Sequence, residues 1–137
     1  MTTYTADTSV VVPALTSWHE AHDRAVAAIS AVSRLPAHVV VESVAVLTRL
    51  PHGLSVPVDT AVTVIGEAFP DTPWVLTSNE HRDLVAHIGR SRLRGGQVYD
   101  ALVGATAKLA GATLLSRDRR AQPVYRAVGA QVEDVAG

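Results

Sequence analysis

What most narrows the fold of this chain is the order in which short apolar runs and longer amphipathic ones follow each other. "TYTAD" (3–7) is a strand-like run that ends on an acid. "TSVVVPALT" follows, with β-branched residues at Val10 to Val12 and then Pro13, which suits the first turn of a helix. "SWHEAHDRAVAAISAVSRL" (17–35) opens with the capping-box pair Ser17 and Glu20, and Ala21, Ala25, Ala28, Ile29 and Val32 recur at helical spacing. "AHVVVESVAVLTRL" (37–50) places Val41, Val44, Ala45 and Thr48 on one helical face, although so many valines would also fit a strand. After the turn-rich "PHGLSVP" (51–57), "VDTAVTVIGEAF" (58–69) predicts another helix.

"TPWVLTS" (72–78) predicts a second strand, and Thr77 with Glu80 caps the helix "EHRDLVAHIG". "SRLRGG" (91–96) is a basic loop ending in glycine. "QVYDALVGATAKLAG" (97–111) predicts a helix with Val98, Leu102, Ala105 and Leu109 inward and Gly111 at its end. "ATLLS" (112–116) is a third strand, and "VYRAVGAQVEDV" (124–135) a short helix running into a last strand. Strands separated by helices predict an α/β fold of three layers, α/β/α, with a central, mostly parallel sheet and right-handed crossovers. The 137 residues suit one domain, 1–137, with no repeat or linker. Only six residues are aromatic, so the core must come from Val, Leu, Ile and Ala.

The absence of Cys excludes disulfides, thiolate zinc sites and Cys nucleophiles. The first residues lack the basic region of a signal peptide, and charges, Pro13 or glycines cut every apolar stretch below the ~18 to 20 residues a membrane span needs. A cytoplasmic protein is expected. Net charge is −1, but its distribution is uneven: residues 1–89 carry a net −5 and residues 90–126 a net +6. The basic stretch, with Arg90, Arg92, Arg94, Arg117, Arg119 and Arg120, suits contact with phosphates; it would equally well balance the acidic front.

Four acids stand in apolar settings. Asp7 ends the first strand, Glu42 interrupts "HVVVESVAVL", Asp100 sits among Val98, Tyr99, Ala101 and Leu102, and Asp118 follows "TLLS". In an open α/β sheet Asp7 and Asp118 fall on the rim formed by the carboxyl ends of the strands, where such folds place their sites. Glu42 and Asp100, near helix N-termini, can face the same rim. Carboxylates drawn together repel, and their natural resident is a hard divalent cation, Mg²⁺ or Mn²⁺. Each acid also has a structural account: Asp7 as a helix cap, Glu42 and Asp100 as partners of helix dipoles, Asp118 as a turn residue.

The stretches "ADTSVVV", "VVVESVAVL", "VYDALVGATAKLAGATLLSRD" and "VYRAVGAQVEDV" resemble the PIN-domain nucleases, especially the VapC-like toxins of bacterial toxin–antitoxin pairs. The resemblance runs nearly the whole chain and is most specific in "YDALVGATA…GATLLSRD". It implies a PIN-like fold and an Mg²⁺-dependent endoribonuclease, with Mn²⁺ possible, whose metal and catalytic residues are Asp7, Glu42, Asp100 and Asp118. Ser116, two residues before the last acid, would support the metal site through a hydrogen bond. Cleavage of an RNA phosphodiester would leave a 5′-phosphate and a 3′-hydroxyl. The resemblance further implies a homodimer and a small antitoxin protein whose tail covers the active rim. One departure is Ala121, where relatives often carry an aromatic or large apolar residue. The six arginines named above are then candidates for holding the RNA backbone, a contact that positions without reading sequence. A PIN-like RNA-processing nuclease without an antitoxin, and a catalytically inactive PIN-like interaction module, are the rival assignments.

Other signals lead elsewhere and fail. "HEAH" (19–22) is one residue short of the H-E-x-x-H zinc pattern and has no third ligand. "GRSRLRGG" lacks the Lys and Ser or Thr of a phosphate loop, and no G-x-S-x-G elbow is present. A receiver domain needs a lysine at a strand end, whereas the only lysine, Lys108, falls mid-helix.

Overall fold

The computed structural model describes residues 1–136. Three strands, β1 (Thr3–Ala6), β2 (Ala112–Ser116) and β3 (Gln131–Asp134), form one parallel sheet in the order β1-β2-β3. Ala6 pairs with Leu115, and Leu115 with Glu133. All three carboxyl ends therefore share one rim. Between β1 and β2 run α1 (Thr8–Ala14), α2 (His22–Ala28) with a 3₁₀ turn at Ile29–Ala31, α3 (Ala37–Thr48), α4 (Val58–Ala68), α5 (Ser78–Ser91) and α6 (Gly96–Ala110). One further helix, α7 (Gln122–Ala127), joins β2 to β3. Helices cover the sheet in a three-layer α/β/α arrangement. No helix among the described residues is long and apolar enough to cross a membrane.

The core follows the composition. Val10, Val11, Leu35, Val39, Leu47 and Leu114 are almost wholly buried in one cluster, and a smaller cluster gathers Leu76, Leu84, Ala101 and Val124. Each buried Val or Leu is worth about 1.5–3 kcal/mol of transfer free energy. The capping box at Thr77 forms as predicted: Glu80 N donates to Thr77 Oγ1 at 3.2 Å, and Thr77 N to Glu80 Oε1 at 2.9 Å. Gly111 ends α6 at φ +65°, a left-handed conformation that glycine adopts without Cβ strain.

Five local expectations are corrected. The predicted strand 72–78 is only a single parallel bridge, Pro36 to Trp74. Two hydrogen bonds hold it, Trp74 N to Leu35 O and Ala37 N to Trp74 O, and Pro36 and Pro73 lack the N–H groups that would extend it. The helix predicted over 17–35 contracts to α2 and its 3₁₀ turn, and the Ser17–Glu20 box does not form. Successive turns bonded from His19 N to Thr16 O and from His22 N to His19 O occupy that segment instead, and His22 Nδ1 hydrogen-bonds Pro13 O at 2.9 Å. Pro13 lies sixth in α1, near its end, not in the first turn.

In α3 the buried stripe is Val39, Ser43 and Leu47, and Val41 is 68% exposed. With valines all round the helix, a buried serine hides the true stripe from a hydrophobic pattern. In α6 the fully buried residues include Ala101, Gly104 and Ala107, while Leu109 faces solvent. Small side chains face inward because α7 packs close: a Cβ on Gly104 would stand 2.7 Å from Val128 Cγ2 and 3.0 Å from Tyr125 Cα. Gly104→Ala is therefore expected to cost about 1–3 kcal/mol despite the better helix propensity of alanine. Urea unfolding will read this as a lower midpoint at unchanged slope; an unaltered midpoint would show that α7 yields freely.

Candidate active site

The rim where β1 and β2 end is shaped by hydrogen bonds that fix a buried carboxylate. The ladder continues one step past β1, with Asp7 N donating to Leu115 O at 3.1 Å. Asp7 then turns the chain into α1. Its Oδ1 accepts Ser9 N at 3.0 Å and also the Ser9 hydroxyl, and its Oδ2 accepts Ser116 Oγ at 2.6 Å and Tyr125 OH at 2.8 Å. The helix-cap account of Asp7 and its place at the site hold together, one oxygen serving mainly each. The side chain is 3% exposed. Burial pushes its carboxyl above the usual range, against the pull of the hydroxyl donors.

Ser116 and Ser9 tie Asp7 to the turn after β2. Ser116 Oγ accepts Asp118 N at 3.0 Å, and Ser9 Oγ accepts Arg117 N at 2.8 Å. Asp118 Oδ1 accepts the N–H groups of Arg120 and Ala121 at 3.0 and 3.1 Å, so it does shape a turn. Its other oxygen lies 3.4 Å from Arg120 Nη2. Ala121 is fully buried, and this small residue lets the turn close onto the core. From α3, Glu42 accepts a short hydrogen bond from Thr8 Oγ1, and His38 Nε2 lies 3.9 Å from its second oxygen.

All four acids, with Thr8, Ser9, Gly96, Tyr99, Arg120 and Tyr125, line one cavity of about 160 Å³. Their proximity is electrostatically visible. The Asp100 carboxyl is raised to about 6 by burial first; nearby Arg120 opposes this, and Asp118, Glu42 and Asp7 add to it. Among the described residues no three acidic or histidine side chains are already closed to the spacing of a coordination shell. Such an open arrangement still fits Mg²⁺, which keeps several waters and typically binds through one or two carboxylates plus substrate phosphate. The donor set, all hard oxygens with no His or Cys lining the cavity, suits that ion class.

A family model for the PIN domain matches residues 4–127, which run from β1 through β2 to the end of α7 and stop short of β3. The chain belongs to the PIN-domain family. This PIN domain is also 39% identical over 127 residues to a protein named Ribonuclease VapC40 of Mycobacterium tuberculosis, covering 93% of the chain and 95% of the relative. It is 36% identical to Ribonuclease VapC27 of the same organism, over 92% of each chain.

The PIN domain does not gather its six singled-out arginines in one place. Arg120 lines the acidic cavity. Arg117 lines an adjoining cleft with Thr8, His19, Glu42 and Asp118, and its Nε is buried without a hydrogen-bond partner. Arg119 turns away to β3, where its Nε donates to Asp134 Oδ2 at 2.8 Å. Arg90 borders a separate groove between α5 and α6, with Glu80, Asp83 and Lys108. Arg92, at φ +55°, and Arg94 form the exposed turn into α6.

Tyr125, Ser9, Thr8, Tyr99 and His38 belong to the site and were missed from the sequence. A D-x-S pattern at an acid ending a strand is a local capping signal that would have found Ser9. Nothing local marks Tyr125, which reaches Asp7 across 118 positions of chain.

Proposed function

We propose that this PIN domain is an endoribonuclease that uses Mg²⁺ or Mn²⁺ held among Asp7, Glu42, Asp100 and Asp118. The observation carrying this is that four carboxylates from separate parts of the chain share one small cavity, where burial first and then the charges of Asp118, Glu42 and Asp7 raise the Asp100 carboxyl. Such mutual repulsion persists in a fold when something positive is meant to offset it. A bound divalent cation would activate a water for attack on an RNA phosphodiester and neutralise charge on the leaving oxygen.

The chain's own groups prepare that chemistry. Ser9, Ser116 and Tyr125 hold the Asp7 carboxylate in one orientation by donating to both of its oxygens. Backbone N–H groups do the same for Asp118, and Thr8 steers Glu42. Arg120, at the cavity wall, is placed to meet a phosphate oxygen once a cation has neutralised the acids. Arg117, in the adjoining cleft, extends that contact along the backbone, and Arg90, Arg92, Arg94 and Arg119 lie farther out.

Likeness to two proteins named ribonuclease VapC supports the toxin of a toxin–antitoxin pair, with a small antitoxin as partner. The same proposal takes the chain as a single domain, 1–137, acting as a homodimer in the cytoplasm. The deciding experiment is cleavage of a mixed-sequence RNA by the purified chain. Cleavage is expected with Mg²⁺ or Mn²⁺, lost in EDTA and restored by excess Mn²⁺. Cutting that continues undiminished in EDTA would sink the proposal.

A further inference from the structure

The acidic cavity is smaller than the substrate it is proposed to act on. At about 160 Å³, it is at the small end of ligand sites. It suits a cation that keeps part of its water shell together with phosphate oxygens, and a nucleobase attached to that phosphate rests outside. What lies next to the cavity then decides how the base is held.

Tyr99, in the first turn of α6 beside Asp100, lines the cavity and is 57% exposed. Its ring is held in place: it stacks on His38 with centroids 5.0 Å apart and planes within 7°. His38 comes from α3, one turn before Glu42. Its Nε2 is buried and makes no hydrogen bond, so the imidazole acts here as a flat support. Beside Tyr99 the backbone is bare, since a Cβ built on Gly95 or Gly96 would meet nothing within 4 Å. Of the two exposed aromatics among the described residues, Trp18 and Tyr99, only Tyr99 borders the acids.

We infer that Tyr99, backed by His38, is a stacking platform for the nucleobase adjoining the scissile phosphate. This subsite rests on the ribonuclease assignment of the acids. The chemistry of the site favours a base as occupant. A base is uncharged, so the field of the carboxylates does not oppose it, and its link to a phosphate at the acids keeps it within one ribose of the ring. Stacking is tolerant of base identity because every base has a π-face, so the platform adds affinity and orientation with little sequence preference. The other flat group that stacks on tyrosine is an arginine of a protein partner, which the acids would draw past the ring toward themselves.

The test crosses two protein variants with two substrates. Tyr99→Leu and Tyr99→Phe are compared with wild type on an RNA oligonucleotide of mapped cut site, and on the same oligonucleotide with abasic riboses flanking that site. Binding of intact RNA is read by anisotropy in the Asp100→Asn background. Tyr99→Leu is expected to lower kcat/KM and binding for intact RNA by about tenfold or more, the size of one base–aromatic stack. Tyr99→Phe should keep most of both, and abasic RNA should be cut equally by wild type and Tyr99→Leu. The Mn²⁺-induced rise in Tm should be the same in Tyr99→Leu as in wild type.

Equal slowing of intact and abasic RNA by Tyr99→Leu, or no change in either, overturns the subsite. Loss of affinity for a protein partner alone, with RNA handling intact, also overturns it in favour of an arginine. Failure of the wild-type chain to cut RNA at all with Mn²⁺ overturns the ribonuclease assignment and the subsite together.

Discussion

Asp7→Asn and Asp100→Asn should each lower metal-dependent RNA cleavage by at least about 100-fold, more than losing an outer-shell partner of a metal site usually costs. The same substitutions should make the metal-free chain more stable. Asp7 is nearly inaccessible and its carboxyl is raised above the normal range, so ionising it at neutral pH works against the fold. An amide keeps the shape, and the hydroxyls of Ser116 and Tyr125 can rotate to suit it. Asp7→Asn should therefore raise the Tm of the metal-free chain. Loss of function with gain of stability separates a site residue from a structural one. An Asp7→Asn protein that melts earlier than wild type would return Asp7 to the role of a structural helix cap.

The stability of the metal-free protein should fall as pH rises through the range set by Asp100. Its carboxyl is raised from 3.8 to about 6, so between those values the folded chain holds a proton that the unfolded chain releases. A raised acid of this kind leaves stability highest below the unfolded pKa and loses it as pH climbs through the folded one. The full difference corresponds to about 3 kcal/mol, and solvent screening of this partly exposed group reduces it to about 1–2 kcal/mol. Asp134 and Glu80 titrate in the opposite sense, being lowered by hydrogen bonds from Ala136 and Thr77, and their contribution fades as pH falls. Comparing wild type with Asp100→Asn isolates the group: the advantage of the variant should grow from about pH 4 to pH 7 and then level. Millimolar Mn²⁺ should reverse that advantage at pH 7, because only the wild type keeps all four carboxylates. A pH-independent gap between the two proteins would mean that the Asp100 carboxyl is not raised in the folded chain.

Much of the frame could be read directly from the chain. The runs "TYTA" and "ATLLS" are strands with almost the predicted limits, and the Thr77–Glu80 box and Gly111 mark helix ends as expected. These signals are local: capping hydrogen bonds span three residues, and a left-handed C-terminus asks for glycine at one position. Where neighbours in space decided, pattern reading failed. The buried Ser43 and the close seat of α7 on Gly104 redirected the inward faces of α3 and α6. Two prolines stopped a strand that β-propensity alone favoured at Trp74.

The site divides in the same way. That Asp7, Glu42, Asp100 and Asp118 are unusual was visible in the sequence, because charge inside an apolar run is costly and needs a reason. Asp7 and Asp118 follow strand ends on one rim, while Glu42 and Asp100 reach the same cavity from within α3 and α6 and not from helix ends. The sequence by itself determined the parallel α/β frame and marked those four acids as candidates, since both follow from the alternation of apolar runs and the acids that end or interrupt them. Only the tertiary structure decided what surrounds them. Tyr125 on Asp7, Tyr99 against His38 and the outward turn of Arg119 each join residues far apart in the chain, and such contacts leave no periodic trace.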